Sequence, residues 1–343
     1  MRYNRLDPVD VDTAAVRDAT VAVVGAGATG SRMLEQLARV GARLRIVDRD
    51  YLEESNLATS TLYTTEQVED GLPKAVAAEH RLTAINPNIS IDARVADLNH
   101  RTADDHLAGV DIVLDGTDNM ETRHLVNEYC VKHGVPWVHV SALAQRAEVM
   151  PVVPGETACF NCVFGDVDGT ALATCETAGI VPAAAATAAS LGVTTAIDIL
   201  NGADPQGLVR ADLGTGRFHQ LAVERQRCRV CSDGSFPYLD GEAGSTAATV
   251  CGEDKYQIHG GSGGVDLASL EEDLEAVGEV TRNDHLLRFD GEARSPAGAS
   301  ESTDAERPVR GDEQFTVFAD GRMIVEADSR EAAKNVYARF VGS

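Results

Sequence analysis

Three glycines near the N-terminus have the spacing of a phosphate-binding turn. Gly25, Gly27 and Gly30 follow a short apolar run, and a helical stretch and a second apolar run then lead to Asp48. Glycines permit a sharp turn and let backbone N–H groups approach phosphate oxygens at a helix N-terminus. An acid at the end of the second strand can accept hydrogen bonds from a ribose hydroxyl. This complete context predicts a βαβ nucleotide-binding unit.

The elements that must hold this turn are also readable from the sequence. Apolar runs predict strands at 21–24 and 44–47, and the helical period between them ends at Gly41. Further strands are predicted at 89–95, 110–114 and 137–141. We therefore expect an α/β, Rossmann-like nucleotide-binding fold with a mixed, mainly parallel sheet.

Lys74 is a candidate phosphate ligand. It follows Pro73, which favours the first turn of a helix predicted over 74–84. A lysine in a first turn meets the positive end of the helix dipole, and a bound anion nearby would reverse that unfavourable interaction. A solvated surface lysine is the alternative interpretation.

Asp118 and Asn119 follow the predicted strand 110–114, at the end where ligands bind in open α/β sheets. A carboxylate there can hold Mg²⁺ for a nucleoside triphosphate, or it can cap the helix predicted over 121–133. The local sequence leaves both interpretations open. It also does not distinguish Asp50 and Asn56 from ordinary loop residues.

Four of the seven cysteines form two C-x-x-C pairs. Paired thiolates in two knuckles suit a tetrahedral structural Zn²⁺ site better than a redox centre, which needs only one pair. The ligands would be Cys159, Cys162, Cys228 and Cys231. Cys175 lies between the pairs in a small-residue, polar segment and is a candidate nucleophile.

The composition narrows the function classes. The 343 residues carry a net charge of −24 with four lysines, so no basic stripe exists for a nucleic acid partner. We interpret the dispersed acid excess as adaptation to a very salty, halophilic cytoplasm. A secretory segment is not evident, and the cysteine usage fits a reducing, cytoplasmic compartment.

Residues 177–197 form an uncharged stretch long enough to span a bilayer. They are mainly Ala, Thr and Ser with interspersed Gly and Pro, rather than Leu, Ile and Phe. We therefore predict a helix in a soluble core or subunit interface, and no membrane span.

The composition changes after the last cysteine pair, which places a predicted domain boundary between residues 235 and 236. Residues 236–343 are predicted to form a small α+β module, with a helix over 269–277, a strand over 285–289 and a hairpin over 315–326. Ser329 should cap a final helix over 330–341. The polar insertion 294–313 is predicted to be disordered.

Taken in order, several motifs resemble the MoeB/ThiF/HesA family of ubiquitin-activating-type adenylyltransferases. They are RYNR, GAGATG, DRDYLEESNL, LPKA, DGTDN, CFNC, ATCETAG and CRVC, and the C-terminal FADGRMIVEADSREAAKNVYARFVG is similar to the tail of the family's long form. The resemblance covers nearly the whole chain.

This resemblance implies specific roles. The nucleotide would be ATP, with the ribose on Asp48, the triphosphate on Asn56 and Lys74, and Mg²⁺ on Asp118. Arg5 would reach the ATP of a neighbouring subunit, which implies a homodimer. The remaining candidates are cofactor-binding Gly25, Gly27, Gly30, Asp50 and Asn119, zinc-binding Cys159, Cys162, Cys228 and Cys231, and Cys175 on the loop that crosses the active site.

The resemblance also implies a substrate and a reaction. The substrate would be a small β-grasp, ubiquitin-like or sulfur-carrier protein ending in Gly-Gly. Its terminal carboxylate would attack the α-phosphate of ATP to give an acyl-adenylate and pyrophosphate. The activated carboxyl would then pass to a thiol or persulfide, with a sulfurtransferase as a further partner.

The sequence departs from this family pattern at Thr59, where the family usually carries an arginine. Adenylation would then be slow, would use another cation such as Arg32, or would be lost, leaving a scaffold that binds nucleotide or a partner. An NAD-dependent oxidoreductase shares the glycine turn and Asp48. That alternative gives no reason for Lys74, Asp118 and the four paired cysteines.

Overall fold

The chain forms two compact units. The computed structural model describes residues 2–3, 6, 12–165, 178–203, 207–243, 255–258, 264–291 and 313–341. The first unit is Met1–Gly244 and the second is Ser245–Ser343. The boundary predicted after residue 235 is therefore too early, because Phe236, Tyr238 and Leu239 pack against the core of the first unit. Most of the predicted disordered insertion lies outside the described residues.

The described elements of the first unit, in chain order, are as follows: α1 (Thr13–Asp18), β1 (Thr20–Val24), α2 (Gly30–Val40), β2 (Arg43–Asp48), α3 (Glu54–Leu57), α4 (Thr65–Glu69), α5 (Lys74–Ile85), β3 (Ile91–Val95), α6 (Ala103–Leu107), β4 (Ile112–Asp115), α7 (Met120–His133), β5 (Trp137–Leu143), β6 (Arg146–Val152), α8 (Phe160–Phe164), α9 (Pro182–Leu200), β7 (Leu208–Asp212) and β8 (Arg217–Leu221).

The strands form one sheet with the order β3-β2-β1-β4-β5-β6-β7-β8. Strands β3 to β5 pair in parallel, whereas β5 to β8 pair as antiparallel neighbours. The predicted mixed, mainly parallel, Rossmann-like sheet is confirmed. The strand order reverses between β1 and β4, and ligands of open α/β sheets bind at such a switch point.

The antiparallel half of the sheet was not predicted. Strand β8 carries exposed side chains throughout, so it lacks the apolar run that signals a buried strand. Strand β7 alternates only partly, and the turn between β7 and β8 contains Gly216 at a φ of +66°. These strands extend the sheet beyond the nucleotide-binding half.

Each face of the sheet is covered by helices. On one face α2, α5 and α9 bury Met33, Leu82 and Val193 against the strands. On the other face α6, α7 and α8 bury Leu107, Val126 and Phe160. Alternate residues of a strand therefore enter opposite cores, as expected of a central, two-sided sheet.

Helix α9 is long and apolar enough, by length and composition, to cross a membrane, with a mean hydropathy of 1.5 over its most apolar window. It packs instead along β5, β6 and α2. One of its sides is buried there through small residues, namely Ala184, Ala185, Ala188, Ala189, Gly192, Val193 and Ala196. This packing matches the predicted core helix.

In its described residues, the second unit has a five-stranded antiparallel sheet and two helices. Its elements are β9 (Lys255–Ile258), α10 (Leu267–Leu274), β10 (Glu279–Arg282), β11 (Leu286–Asp290), β12 (Gln314–Phe318), β13 (Met323–Glu326) and α11 (Arg330–Phe340), with the strand order β10-β11-β12-β13-β9. The predicted hairpin is confirmed, as is the helix cap, where Ser329 accepts a hydrogen bond from the backbone N–H of Ala332 at 3.2 Å.

Candidate functional site

The glycine turn packs backbone against backbone on the loop that follows β4. Gly25 has a φ of +86°, and a Cβ there would lie 2.7 Å from the carbonyl oxygen of Gly116. A Cβ on Gly30 would lie 1.9 Å from the carbonyl oxygen of Gly25, and one on Gly116 would lie 2.6 Å from the same atom. Both loops can meet at the switch point only because these three residues lack side chains. Gly116 was not singled out from the sequence.

Gly27 differs from the other glycines of the turn. A Cβ on Gly27 would meet no atom within 4 Å, so no packing contact requires glycine there. The turn leads directly into the N-terminus of α2, where backbone N–H groups and the helix dipole favour an anion. The open space beside Gly27 is therefore suited to a phosphate group.

This contrast predicts different outcomes for two alanine variants. Gly30→Ala is expected to lower the free energy of unfolding by about 1–3 kcal/mol or more, because its Cβ collides with backbone. Gly27→Ala should leave the melting temperature nearly unchanged but weaken ATP binding by about tenfold, or about 1.4 kcal/mol. Thermal unfolding and calorimetric titration with ATP measure both effects. Equal loss of stability in the two variants would contradict this assignment.

Asp48 is built into the turn. Its Oδ2 accepts a hydrogen bond from the N–H of Ala26 at 2.6 Å, and its Oδ1 accepts one from the N–H of Asp50 at 2.8 Å. Burial raises the pKa of Asp48, and the nearby Lys74 ammonium opposes that shift. The carboxylate thus fixes the turn, and its remaining lone pairs can accept a ribose hydroxyl.

Lys74 is not a solvated surface lysine. Its side chain is 13% exposed, and Nζ lies 2.9 Å from Oδ2 of Asp50. Burial acts to lower the pKa of Lys74, but the carboxylates of Asp50 and Asp48 outweigh it and raise the pKa. The ammonium is therefore charged, and an internal acid offsets its interaction with the dipole of α5. The sequence suggested a bound anion as the partner of Lys74, and in the structure that partner is the carboxylate of Asp50.

Tyr63 joins the glycine turn to the start of α5. Its hydroxyl donates a hydrogen bond to the carbonyl oxygen of Ala26 at 2.5 Å and lies 3.4 Å from that of Lys74. The ring is buried, with 8% exposure. Sequence reasoning missed this residue, since a lone tyrosine in a loop carries no pattern. Tyr63 thus keeps the glycine turn and Lys74 at a fixed distance from each other.

Arg49 was also missed. Its Nη1 lies 3.0 Å from Oδ1 of Asp97, and its Nε lies 3.7 Å from Asp50. Burial acts to lower the pKa of Arg49, but the negative charges of Asp50, Asp97 and Asp118 outweigh burial and raise it. Arg49 therefore connects the acids that follow β2, β3 and β4.

The structure separates the two interpretations of the loop after β4. Asn119, not Asp118, is the N-cap of α7, and its Oδ1 accepts a hydrogen bond from the N–H of Thr122 at 2.8 Å. Asp118 is exposed beside it. The Asp118 carboxylate acts on the charge of Arg49, and its exposed position also lets it face a metal-bound nucleotide. The amide N–H groups of Asn119 can still donate to a ligand.

A buried ion network supports that loop. Asp115 at the end of β4 accepts hydrogen bonds from Nε of Arg123 at 3.1 Å and, through Oδ1, from the N–H of Thr117 at 2.9 Å. His139 Nδ1 lies 3.0 Å from the same carboxylate. The arginine holds the pKa of Asp115 below its ordinary value against the effect of burial. These contacts of the buried Asp115 carboxylate therefore hold the backbone next to Asp118 in place.

The segment after α3 lies against the N-terminus of α2. Asn56 Oδ1 accepts a hydrogen bond from the N–H of Glu53 at 3.0 Å within a capping box, which leaves its amide N–H groups for a ligand. Arg32 of α2 donates hydrogen bonds through Nη1 to the carbonyl oxygens of Ala28, at 2.9 Å, and of Thr59. The candidate residues 25–32, 48–59, 74 and 116–119 are thus joined by these contacts.

The four cysteines of the predicted zinc site come together. The sulfur atoms of Cys159 and Cys162 lie 3.7 Å apart, and those of Cys228 and Cys231 lie 3.2 Å apart. Between the pairs, sulfur–sulfur distances are 3.4 and 3.5 Å. Tetrahedral Zn–S bonds of about 2.3 Å require sulfurs about 3.8 Å apart. The cluster is slightly more compact than that geometry, and a small outward movement of the sulfur atoms would reach it. The residues fit one structural zinc ion.

One side of α7 holds the segments that carry these cysteines. Asn127 Oδ1 accepts a hydrogen bond from the N–H of Phe160 at 3.0 Å, and His124 Nδ1 lies 3.0 Å from Oδ1 of Asn161. Glu128 accepts a hydrogen bond from the N–H of Leu239 at 2.9 Å. These buried polar residues were not predicted, because α7 shows no strong polar or apolar side in sequence.

Glu128 makes stability depend on pH. Burial raises its pKa from 4.5 to about 7, against the hydrogen bonds from backbone N–H groups. The folded protein therefore binds this proton more tightly than the unfolded chain, so stability falls as pH rises from about 4.5 through 7. We expect Glu128→Gln to raise the melting temperature at pH 8 and to change it little at pH 5. A larger loss at pH 8 than at pH 5 would instead show that the anion is required.

Two candidates cannot be placed. Arg5 and Cys175 lie outside the described residues. Their roles stay predictions from the resemblance.

Comparison with known proteins agrees with this geometry. The sequence model of the ThiF family matches residues 6–232. The sulfur carrier protein ThiS adenylyltransferase of Bacillus subtilis (strain 168) is 32% identical over 335 residues, covering 95% of this chain and 94% of that protein. Its counterpart in Escherichia coli (strain K12) is 33% identical and covers 67% of this chain and 94% of its own length. The SAMP-activating enzyme E1 of Haloferax volcanii is 32% identical over 52% of this chain and 66% of its own length.

A solved structure shares the fold. E. coli MccB, crystallised with MccA-N7isoASN, aligns with a TM-score of 0.60 at 21% identity, covering 67% of this chain and 75% of the MccB chain. At this identity the likeness shows the fold alone.

Proposed function

Because this chain belongs to the ThiF family, we propose that it is an ATP-dependent adenylyltransferase of a small carrier protein. Its substrate is the C-terminal Gly-Gly carboxylate of a ubiquitin-like or sulfur-carrier protein with a β-grasp fold. The relative that spans 95% of this chain is named a sulfur carrier protein ThiS adenylyltransferase, which favours a carrier of the ThiS class.

The observation that carries this proposal is the convergence of phosphate-binding elements at one switch point. An open space beside Gly27 adjoins the N-terminus of α2. Lys74 is held charged by Asp50, and Asp118 stands exposed on the loop that packs against the glycine turn. A site for a dinucleotide would need no such lysine and exposed acid around its phosphates, and the named relatives are adenylyltransferases.

The chemistry requires two anions to approach each other. An oxygen of the carrier's terminal carboxylate attacks the α-phosphorus of ATP, the bond from that phosphorus to the bridging oxygen breaks, and pyrophosphate leaves. No proton transfer by the protein is needed, since the attacking carboxylate is already ionised. The protein must orient both groups and offset their repulsion. Lys74 does so by exchanging Asp50 for a phosphate oxygen when ATP enters.

Two metals fit the residues. Mg²⁺, when bound, neutralises charge on the triphosphate, and Asp118 would hold it. Zn²⁺ would be held by the four-cysteine cluster and would join residues 159–162 to residues 228–231, far from each other in sequence. Its role is structural, because all four positions around it are protein thiolates.

The resemblance also supports a homodimer in which Arg5 completes the site of the neighbouring subunit, and a sulfurtransferase that receives or supplies sulfur. Cys175 is then the thiol that accepts the activated carboxyl. The second unit lies beyond residues 6–232, which match the ThiF family, and we assign it no part in this reaction.

Mass spectrometry of the carrier tests the function directly. Incubated with the chain, ATP and Mg²⁺, a Gly-Gly-terminated carrier of the ThiS class is expected to gain the mass of one AMP moiety. High salt is appropriate, because a net charge of −24 makes self-repulsion strong when screening is weak. The same carrier lacking its last two residues serves as the control. ATP binding without any adenylated carrier would support the scaffold alternative instead.

A further inference from the structure

Arg32 holds a positive charge at the glycine turn, and none of the described acids forms an ion pair with it. It lies in the first turn of α2, which contains no acidic residue. Its hydrogen bonds, to the carbonyl oxygens of Ala28 and Thr59, engage neutral acceptors through Nη1 alone. The acid one turn further along, Glu35, forms its ion pair with Arg39, at 2.7 Å, and acts on the charge of Arg32 only from a longer distance. Within the described part of the chain, no carboxylate lies within 4.0 Å of the Arg32 guanidinium.

This placement opposes two electrostatic preferences. A cation in the first turn of a helix meets the positive end of the dipole, at a cost of about 0.3–1 kcal/mol. Partial burial also disfavours the charged form and lowers the pKa of Arg32. A polyanion bound in the open space beside Gly27, one turn of chain away, would offset both costs by its attraction to the guanidinium.

The hydrogen bond to the backbone of Thr59 relates Arg32 to the position where the family usually carries an arginine. Nη1 of Arg32 reaches the backbone of residue 59, so an arginine side chain at residue 59 would start where the Arg32 side chain ends. Arg32 in α2 and residue 59 after α3 thus lie next to the same part of the glycine turn. Thr59 itself brings no charge there.

We propose that Arg32 is a catalytic residue that binds the triphosphate of ATP, supplying from α2 the cation that position 59 lacks. This inference rests on the proposed adenylation for its catalytic part and on nucleotide binding alone for its contact. The other two guanidinium nitrogens, Nε and Nη2, make no hydrogen bond to the described residues, and they are the donors that we assign to phosphate oxygens.

The test is an arginine exchange between the two positions. Arg32→Ala is expected to lower kcat/KM for ATP–pyrophosphate exchange about 100-fold, in the range seen when one donor to a charged transition state is removed. Adding Thr59→Arg to that variant should restore exchange to within about tenfold of the unchanged protein. Thr59→Arg alone should bring little gain, because two guanidinium groups would then compete for one region.

Binding measurements separate a ligand contact from a structural role. Calorimetric titration of Arg32→Ala should show ATP affinity reduced tenfold or more and adenosine affinity unchanged, since only ATP carries the phosphates. Arg39→Ala, an exposed arginine on the same helix, is the matched control and should alter neither affinity.

Three results would overturn the proposal. One is full exchange activity in Arg32→Ala, and another is an equal loss of ATP and adenosine binding, which would mean that Arg32 only supports the fold. The third is failure of Thr59→Arg to restore any activity to the folded Arg32→Ala variant. If the unchanged protein binds ATP but never exchanges pyrophosphate, the proposed function fails, while the ATP-against-adenosine comparison still decides whether Arg32 binds phosphate.

Discussion

Cys228→Ser is expected to lower the melting temperature of the first unit by at least about 10 °C and to abolish zinc binding. Structural zinc sites contribute about 10–16 kcal/mol of apparent binding free energy in small peptides. Even about a third of that would shift the midpoint by roughly 10 °C or more in a domain of this size, at about 2–4 °C per kcal/mol. The effect is large because the cluster fastens residues 159–162 to residues 228–231.

Elemental analysis and thermal unfolding check this prediction together. The unchanged protein should contain one zinc per chain, and a strong chelator should lower its melting temperature towards that of Cys228→Ser. Cys130→Ala is the matched control, since Cys130 is a buried thiol within α7 and outside the cluster. It should keep its zinc and lose stability only through the small cavity. Equal zinc content and stability in Cys228→Ser and the unchanged protein would refute the structural site.

Asp118→Asn is expected to reduce adenylation at least about 100-fold with almost no change in stability. The residue is exposed, its neighbour Asn119 caps α7, and Arg49 keeps its stronger partners Asp50 and Asp97, so the fold depends little on the charge of Asp118. Loss of the carboxylate removes the group that would hold Mg²⁺ against the triphosphate, and metal ions contribute several kcal/mol at such charged transition states.

The magnesium dependence distinguishes this role from a general loss of activity. In Asp118→Asn the concentration of Mg²⁺ needed for half-maximal rate should rise, and excess Mg²⁺ should restore part of the activity. Glu121→Gln, in the first turn of α7, is the control for removing a neighbouring acid. An unchanged magnesium requirement in Asp118→Asn would place the metal elsewhere.

The local unit around the glycine turn could be predicted because its signals are short-range. Strand, turn, helix and acid follow one another within residues 21–48, and each residue type has a direct physical reason. The two cysteine pairs were equally informative, because their spacing is typical of a shared metal site, and the structure brings the four sulfur atoms together. These predictions needed no knowledge of the remaining fold.

The supporting residues could not be predicted because their roles depend on long-range contacts. Tyr63 acts through carbonyl oxygens on two other segments, and Arg49 acts through acids that follow three different strands. Glu128 is a polar residue inside a helix with no marked polar side. None of these relations leaves a periodic or spacing signal in the sequence.

The loop after β4 shows the limit of local reasoning at single-residue scale. Asp118 and Asn119 are both good N-cap residues, and the sequence leaves the choice between them open. The backbone places the cap on Asn119, with its oxygen at the N–H of Thr122. That assignment leaves the Asp118 carboxylate outside the helix cap and exposed on the loop.

The most direct measurement of the central claim is exchange of radiolabelled pyrophosphate into ATP. The claim is that one site, at the carboxyl ends of β1 and β4, binds a nucleoside triphosphate next to the tail of a carrier protein. The unchanged chain should therefore catalyse exchange only when a Gly-Gly-terminated carrier is present, and the carrier shortened by two residues should support none. Exchange that proceeds equally well without any carrier, or none with every intact carrier of the ThiS class, would contradict the account.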